Sequence, residues 1–292
     1  MFDRICIIGP GLLGASIAIA AKQRKLAKSV STWSRRPETR AKCQTQEWCD
    51  VVGDSPTEAV NGASLVIICT PVSSIVPILE TIAPAIASDT LITDVGSTKA
   101  LICDAAAKIP LPNGYFIGSH PMAGSDLTGM ENARGDLFEN AVCFTTPEEN
   151  APEAIHHRLC AFWQALGMRM HTTPAHEHDA IVARISHLPH LLASSLCTHL
   201  RESHPAWALF SGTGLRDATR IAGGDPTLWR DIFLQNAPAV LQSLDDFEAT
   251  LQRARKAIED ADAASLFSFL EKGQHFRRKL DGIQPATPAS KP

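Results

Sequence analysis

The chain has 292 residues, 45% of them hydrophobic, and 27 basic against 31 acidic side chains leave a formal net charge of -4. This length exceeds the usual single domain, so two domains with separate cores are expected. Charge near balance, without a long run of either sign, excludes nucleic acid or an anionic membrane surface as the main partner.

In chain order, Arg4-Ile5-Cys6-Ile7-Ile8 is a short continuous apolar run, the pattern of a strand buried on both faces. It runs directly into Gly9-Pro10-Gly11-Leu12-Leu13-Gly14, and the small residues of 15–21 continue as a helix. G-x-G-x-x-G between strand and helix is a dinucleotide site: two glycines let the backbone approach a pyrophosphate and the third lets the helix pack close. The helix N-terminus adds partial positive charge, so Gly9, Gly11, Leu12, Leu13 and Gly14 form the candidate cradle. The second strand, 29–33, ends in Ser34-Arg35-Arg36-Pro37. A site for NAD usually carries Asp or Glu there; a hydroxyl and two guanidinium groups favour NADP, with NAD as the alternative. A third buried strand over 65–69 ends in Thr70-Pro71, expected to face the same cofactor, and a helix follows over 72–86.

Strand 91–95 then delivers Ser97, a helix covers 98–108, and strand 115–119 delivers His120. Pro121 removes a ladder donor and is expected to stop that strand, while Gly118 and Gly124 would admit a flat ligand. His120 would thus stand at the carboxyl rim of an open α/β sheet, where such sheets do their chemistry. Further strands are expected at 142–146 and 168–172, with a helix over 153–166 between them. The alternation predicts a doubly wound α/β sheet in a dinucleotide-binding domain over 1–173.

After Thr173-Pro174 the pattern turns helical, with helices predicted over 175–202, 205–221, 225–241 and 246–279. This all-helical domain, 174–282, carries enough apolar surface to suggest dimerisation. The proline-rich 283–292 is expected to be a disordered tail. Within the helices His187 and His190 lie three apart on one face. With no acidic or cysteine neighbour they suit the polar lining of a pocket better than a metal site, and no metal is expected. Arg220, just before Gly223-Gly224, can complement a helix dipole or anchor a carboxylate. Eight cysteines without a C-x-x-C pair point to reduced core thiols and a cytoplasmic setting. No apolar stretch reaches the length of a membrane span.

Taken together, G-P-G-L-L-G at 9–14, D-V-G-S-T-K at 94–99, G-S-H-P-M-A-G-S at 118–125, S-H-L-P-H at 186–190 and the run from Thr219 to Asp231 resemble, in order and spacing, one family. It is that of the prephenate dehydrogenases and their arogenate-using relatives, enzymes of tyrosine biosynthesis, and the resemblance extends from Ile5 to about Lys279. It implies a Rossmann domain, a helical dimerisation domain, a homodimer, and a site between the two domains. It also implies NAD(P)-dependent oxidative decarboxylation. The cyclohexadienol loses a hydride from C4 and CO2 from C1, giving 4-hydroxyphenylpyruvate from prephenate or tyrosine from arogenate.

By the same resemblance His120 takes the proton of the ring hydroxyl and Ser97 assists it. His187 lines the pocket, Arg220 binds a substrate carboxylate and Trp229 stands near the entrance. The residue chemistry agrees, since a neutral imidazole accepts a proton near pH 7 and an arginine fork suits a dicarboxylate. Asp126, six residues past His120, would favour the ammonium of arogenate if it reached the substrate, and is a surface charge or helix cap otherwise. Prephenate is the expected substrate and arogenate the alternative. A non-catalytic NADP-sensing regulator would have no use for Ser97, His120 and Arg220 together. With no mutase segment before Ile5 and no regulatory domain after the helices, control by a separate tyrosine-binding module is not expected.

Overall fold

The computed structural model describes residues 2–112, 114–124 and 127–282; the expected tail, 283–292, lies outside them. The first part runs β1 (Phe2–Ile8), α1 (Leu12–Gln23), β2 (Ala27–Trp33), α2 (Pro37–Cys43), β3 (Val51–Val52), α3 (Pro56–Ala59), β4 (Leu65–Ile68), α4 (Val72–Ile82), β5 (Thr90–Asp94), α5 (Ala100–Ala106) and β6 (Gly114–Phe116). These strands form one sheet in the order β3-β2-β1-β4-β5-β6, parallel throughout. The order reverses between β1 and β4, and ligands of such sheets bind in the crevice that this reversal opens at the carboxyl ends. In register, Ile8 pairs with Trp33 and Ile68, and Ile68 with Asp94. The loops beginning at Gly9, Ser34, Cys69 and Val95 therefore leave the sheet at one level.

The strand period of two divides the core into two layers. Ile5, Ile7, Leu65, Ile67 and Leu91 face α1 together with Phe162 and Trp163, whereas Cys6, Ile8, Val66, Ile68 and Ile92 face Ile75 and Leu79 of α4 and Ile102 of α5. A fully buried leucine or isoleucine contributes roughly 1.5–3 kcal/mol, so the continuous apolar runs fix these central strands. α4 stops at Ile82 rather than 86, because a 3-10 turn at Ala83–Ala85 carries Pro84.

The strand expected over 115–119 is divided. β6 ends at Phe116, and β7 (Gly118–Pro121) belongs to a second sheet of order β7-β8-β9, where β8 is Val142–Thr146 and β9 is Arg169–Thr172. α6 (Glu153–Ala165) links β8 to β9. Ile117 still donates its N–H to the Ile92 carbonyl at 2.9 Å, but the next N–H on that side, from Ser119, goes to Asp94 Oδ1 at 3.2 Å. The other side of β7 pairs antiparallel with β8. His120 accordingly lies inside β7 and not beyond the end of a strand of the parallel sheet. Pro121 does not stop the strand: it pairs with Cys143, and Met122 N–H continues the ladder to the Val142 carbonyl at 2.7 Å. By that alternation the Pro121 nitrogen points away from β8, where the β7–β8 ladder requires no donor.

The helical part comprises α7 (Ala175–Val182), α8 (Leu188–Ser203), α9 (Thr213–Thr219), α10 (Pro226–Gln235), α11 (Ala237–Glu259) and α12 (Ala263–Gly282). The four long helices expected from the sequence are cut at identifiable points. A π segment, Ala183–His187, joins α7 to α8 and absorbs Pro189, whose ring would clash with the carbonyl four residues back in an unbroken α-helix. Residues 205–210 form a 3-10 turn before α9, α10 ends at Gln235 with Asn236 as its cap ahead of Pro238, and Ala261 at φ 49° separates α11 from α12. No described helix is long and apolar enough to cross a membrane.

Candidate active site

The glycine loop after β1 has the shape a dinucleotide requires. Gly9 has φ +93°, donates its N–H to the Trp33 carbonyl at 2.9 Å, and a Cβ there would lie 2.9 Å from the Cys69 carbonyl oxygen. A Cβ at Gly14 would run into the Gly9 carbonyl. The protein itself demands these two glycines, one for the turn and one for close helix packing. At Gly11 a Cβ would meet nothing within 4 Å among the described residues, so the middle glycine leaves the backbone unobstructed at the N-terminus of α1, where Leu12 and Leu13 begin the helix without a side-chain cap. An uncapped first turn beside an unobstructed backbone fits a pyrophosphate. Thr70, between β4 and Pro71, holds a buried Oγ1 with no hydrogen-bond partner among the described residues, a further polar group available to a ligand.

Ser34 follows β2, half-buried, and its hydroxyl accepts from the Arg36 N–H at 3.4 Å; Arg35 and Arg36 are exposed. Arg40 donates to the Ser34 carbonyl at 2.9 Å, which adds a third guanidinium to this corner, absent from the sequence motif.

The catalytic candidates sit where the two sheets meet. Asp94, the last residue of β5, is fully buried. Its carboxylate accepts from Gly96 N–H at 2.8 Å and Ser119 N–H at 3.2 Å and pairs with the Lys99 ammonium, itself fully buried. The loop that carries Ser97 is thereby held at both ends, and Thr98 donates to Gln235 of α10 at 2.8 Å. Ser97 is half-buried, and among the described residues no hydrogen bond joins it to His120. Gly118 is not open to a ligand: a Cβ there would lie 2.6 Å from Thr146 Oγ1 and 2.9 Å from Cys103 Sγ. A Cβ at Gly124 would meet nothing within 4 Å among the described residues.

His120 is buried, and its Nδ1 lies 2.9 Å from Nε2 of His178 on α7. His178 Nδ1 in turn lies 2.8 Å from Asp179 Oδ1. The Asp179 carboxylate also accepts the N–H groups of Lys99 and Ala100 at 2.8 and 2.9 Å, so it caps α5. Burial first, then the neighbouring His178, Lys99 and His187, lower the His120 pKa well below the ordinary value of 6.5. Burial also lowers that of His178, against the opposing pull of Asp179. Burial would raise the Asp179 carboxyl, yet the hydrogen bonds from His178, Ala100 and Lys99 outweigh it and hold the group below its usual range. At neutral pH the array is a carboxylate followed by two neutral imidazoles.

Asn236, between α10 and α11, extends the array. Its amide donates to the Asp179 carbonyl at 2.9 Å and meets His187 Nδ1 at 3.1 Å. The carbonyl can only accept, which fixes the amide orientation and makes His187 Nδ1 an acceptor with its proton on Nε2. Burial lowers the His187 pKa to about 4. Trp229 of α10 stands edge-on to His187, with ring centroids 6.1 Å apart, and stacks on His190 at 3.6 Å. His187 and His190 thus hold an amide and an indole, and the described residues contain no group of three or more metal-ligating side chains. Arg220 is exposed and opens a 3-10 turn, Arg220–Gly223, at the start of the loop that returns to Trp229. Asp126 lies outside the described residues.

The structure therefore brings His120 and His187 into one network, with Trp229 against it, and places Ser97 on the loop that Asp94 and Asp179 pin. Sequence reasoning missed His178, Asp179 and Asn236. Neighbours at i and i+1 on a helix point about 100° apart and give no periodic signal that they touch. The one available sign was a His-Asp pair opening the helical part.

Residues 17–172 match the family described as prephenate dehydrogenase, nucleotide-binding domain, and residues 174–272 match its dimerization domain. The cyclohexadienyl dehydrogenase of Zymomonas mobilis is 34% identical over 284 residues, covering 96% of this chain and 97% of its own. The prephenate dehydrogenase of Bacillus subtilis is 36% identical over 288 residues, covering 97% of this chain and 76% of its own. A crystal structure of prephenate dehydrogenase from A. aeolicus, in complex with hydroxyphenyl propionate and NAD+, superimposes with a TM-score of 0.90 at 24% identity over 96% of this chain and 99% of that one. With both halves matched and the relatives spanned over most of their length, the chain belongs to the prephenate dehydrogenase family, enzymes that work with a pyridine nucleotide.

Proposed function

We propose that the chain catalyses the oxidative decarboxylation of prephenate to 4-hydroxyphenylpyruvate, with NADP preferred over NAD. The observation that carries this reading is His120, a buried neutral imidazole anchored through Nδ1, on the strand that Asp94 at the end of β5 holds through the Ser119 N–H. Gly9, Gly11, Leu12, Leu13, Gly14, Thr70 and Pro71 would hold the dinucleotide, and Ser34, Arg35 and Arg36 its 2′-phosphate. When bound, its nicotinamide supplies the acceptor for the hydride that leaves C4. As that carbon is oxidised its hydroxyl becomes strongly acidic, and His120 takes the proton. Loss of CO2 from C1 then aromatises the ring, and the phenolate oxygen recovers that proton, so no net proton is consumed. Ser97 orients the hydroxyl, Arg220 binds a carboxylate of the substrate, and His187 and Trp229 line the pocket.

The deciding experiment is a steady-state assay crossing prephenate and arogenate with NADP and NAD. Highest kcat/KM is expected for prephenate with NADP. Higher kcat/KM with arogenate, or no turnover of either, overturns the substrate assignment, and higher kcat/KM with NAD overturns the cofactor assignment. Replacing Arg35 and Arg36 together by alanine is expected to raise KM for NADP and leave KM for NAD nearly unchanged.

A further inference from the structure

His120 can serve as a proton acceptor only if the nitrogen turned toward the substrate carries no hydrogen, and a free imidazole does not guarantee this. We infer that Asp179, acting through His178, fixes His120 in its Nδ1–H tautomer and so makes Nε2 the proton acceptor; both are positioning residues. The inference rests on the assignment of His120 as the base.

Asp179 Oδ1 lies 2.8 Å from His178 Nδ1, and an ionised carboxylate can only accept, so His178 carries its hydrogen on Nδ1. With burial keeping His178 neutral, its Nε2 is a bare lone pair. That lone pair lies 2.9 Å from His120 Nδ1, which must therefore donate, and His120 Nε2 is left unprotonated. This is the logic by which a buried carboxylate selects the tautomer of a catalytic histidine in hydrolases, here with one more imidazole inserted. Among the described residues, the other charged or titratable groups of the cluster are already committed. Lys99 is paired with Asp94, Asp179 Oδ2 receives Ala100 N–H, and His187 Nδ1 is taken by Asn236. None of them competes for His120 Nδ1. The same aspartate also sets His187, because its carbonyl orients Asn236. One residue thus leaves His120 Nε2 an acceptor and His187 Nε2 a donor.

The test reads the tautomer directly, in the free protein, by long-range nitrogen–proton correlation NMR of histidine-labelled enzyme at neutral pH. In the intact protein His120 is expected to show hydrogen on Nδ1 alone. In His178→Leu both tautomers are expected, with kcat lower by about 10- to 100-fold, within the usual reach of a positioned base, and unchanged affinity for the dinucleotide. His178→Gln, whose side-chain oxygen can still accept from Nδ1, is expected to restore the single tautomer and most of kcat. Hydrogen on Nε2 in the intact protein, or a tautomer unaltered in both variants, overturns the inference. Because the intact protein alone can give the first of these results, the test stands even if His178→Leu does not fold. It is also independent of turnover: loss of the prephenate assignment would leave the tautomer result unchanged.

Discussion

At the level of single residues, burial decides what His120 can do. With its pKa pushed well below 6.5, it remains neutral across the range in which an exposed histidine titrates, so the acid limb of kcat is expected below the ordinary histidine value. His120→Asn, polar but without a base, is expected to lower kcat by about 10²–10⁴-fold and to abolish that limb, while dinucleotide affinity, which we propose is set at Gly9 to Gly14, is expected to stay the same. Near-normal turnover with an unchanged limb would make His120 structural and His187 the next residue to replace. Arg220→Ala is expected to raise KM for substrate by about ten- to a hundredfold, the worth of one charge-assisted carboxylate bond; an unchanged KM would return Arg220 to a helix-end charge. His120 was legible because glycines and a proline bracket it. What holds it was not: its partner comes from 58 residues away in the chain, and only the folding of α7 onto β7 brings them together.

At the level of elements, the continuous apolar runs of β1, β4 and β5 and the glycine loop were readable because strands buried on both faces leave an unmistakable pattern. The breaks were not, since each depends on tertiary fit. β6 and β7 separate because Asp94 takes the Ser119 N–H, and the π segment before α8 accommodates Pro189 between two helices that both pack inward. The D-V-G-S-T-K motif gains a meaning from this geometry: its first and last residues form a buried ion pair that shapes the loop between them. Removing one partner of such a pair costs about 3–5 kcal/mol, whereas removing both often costs little. Lys99→Met is therefore expected to lower unfolding free energy by about that amount in urea titrations, and Lys99→Met with Asp94→Leu by less. A double variant as unstable as the sum of the two single ones would show that Asp94 serves the backbone donors of Gly96 and Ser119 rather than the ammonium.

Across the whole molecule, large apolar side chains stand exposed mainly on the helical part, with Trp207, Leu209, Phe210, Leu251, Phe267 and Phe276 among them. The match of that part to a dimerization domain agrees with a second copy covering them. The acid behaviour of the fold follows from histidines buried in the core of the site. Burial lowers the pKa of His120, His178, His187 and His190, so over the histidine range the unfolded chain binds more protons than the native one. Stability must therefore rise with pH through that range and be lost as pH falls. For His187 the contribution is fully present above about 6.5, declines below that, and is fully lost below about 4. At 1.36 kcal/mol per pKa unit this amounts to roughly 3 kcal/mol. His187→Asn keeps an oxygen that can accept from Asn236 but removes the titration. Urea unfolding measured at a series of pH values is expected to give a shallower loss of stability for this variant between pH 6.5 and 4, by about one proton's worth of slope. Parallel curves for the two proteins would mean that His187 ionises as readily in the folded chain as in the unfolded one, and that acid destabilisation originates at His120, His178 or His190 instead.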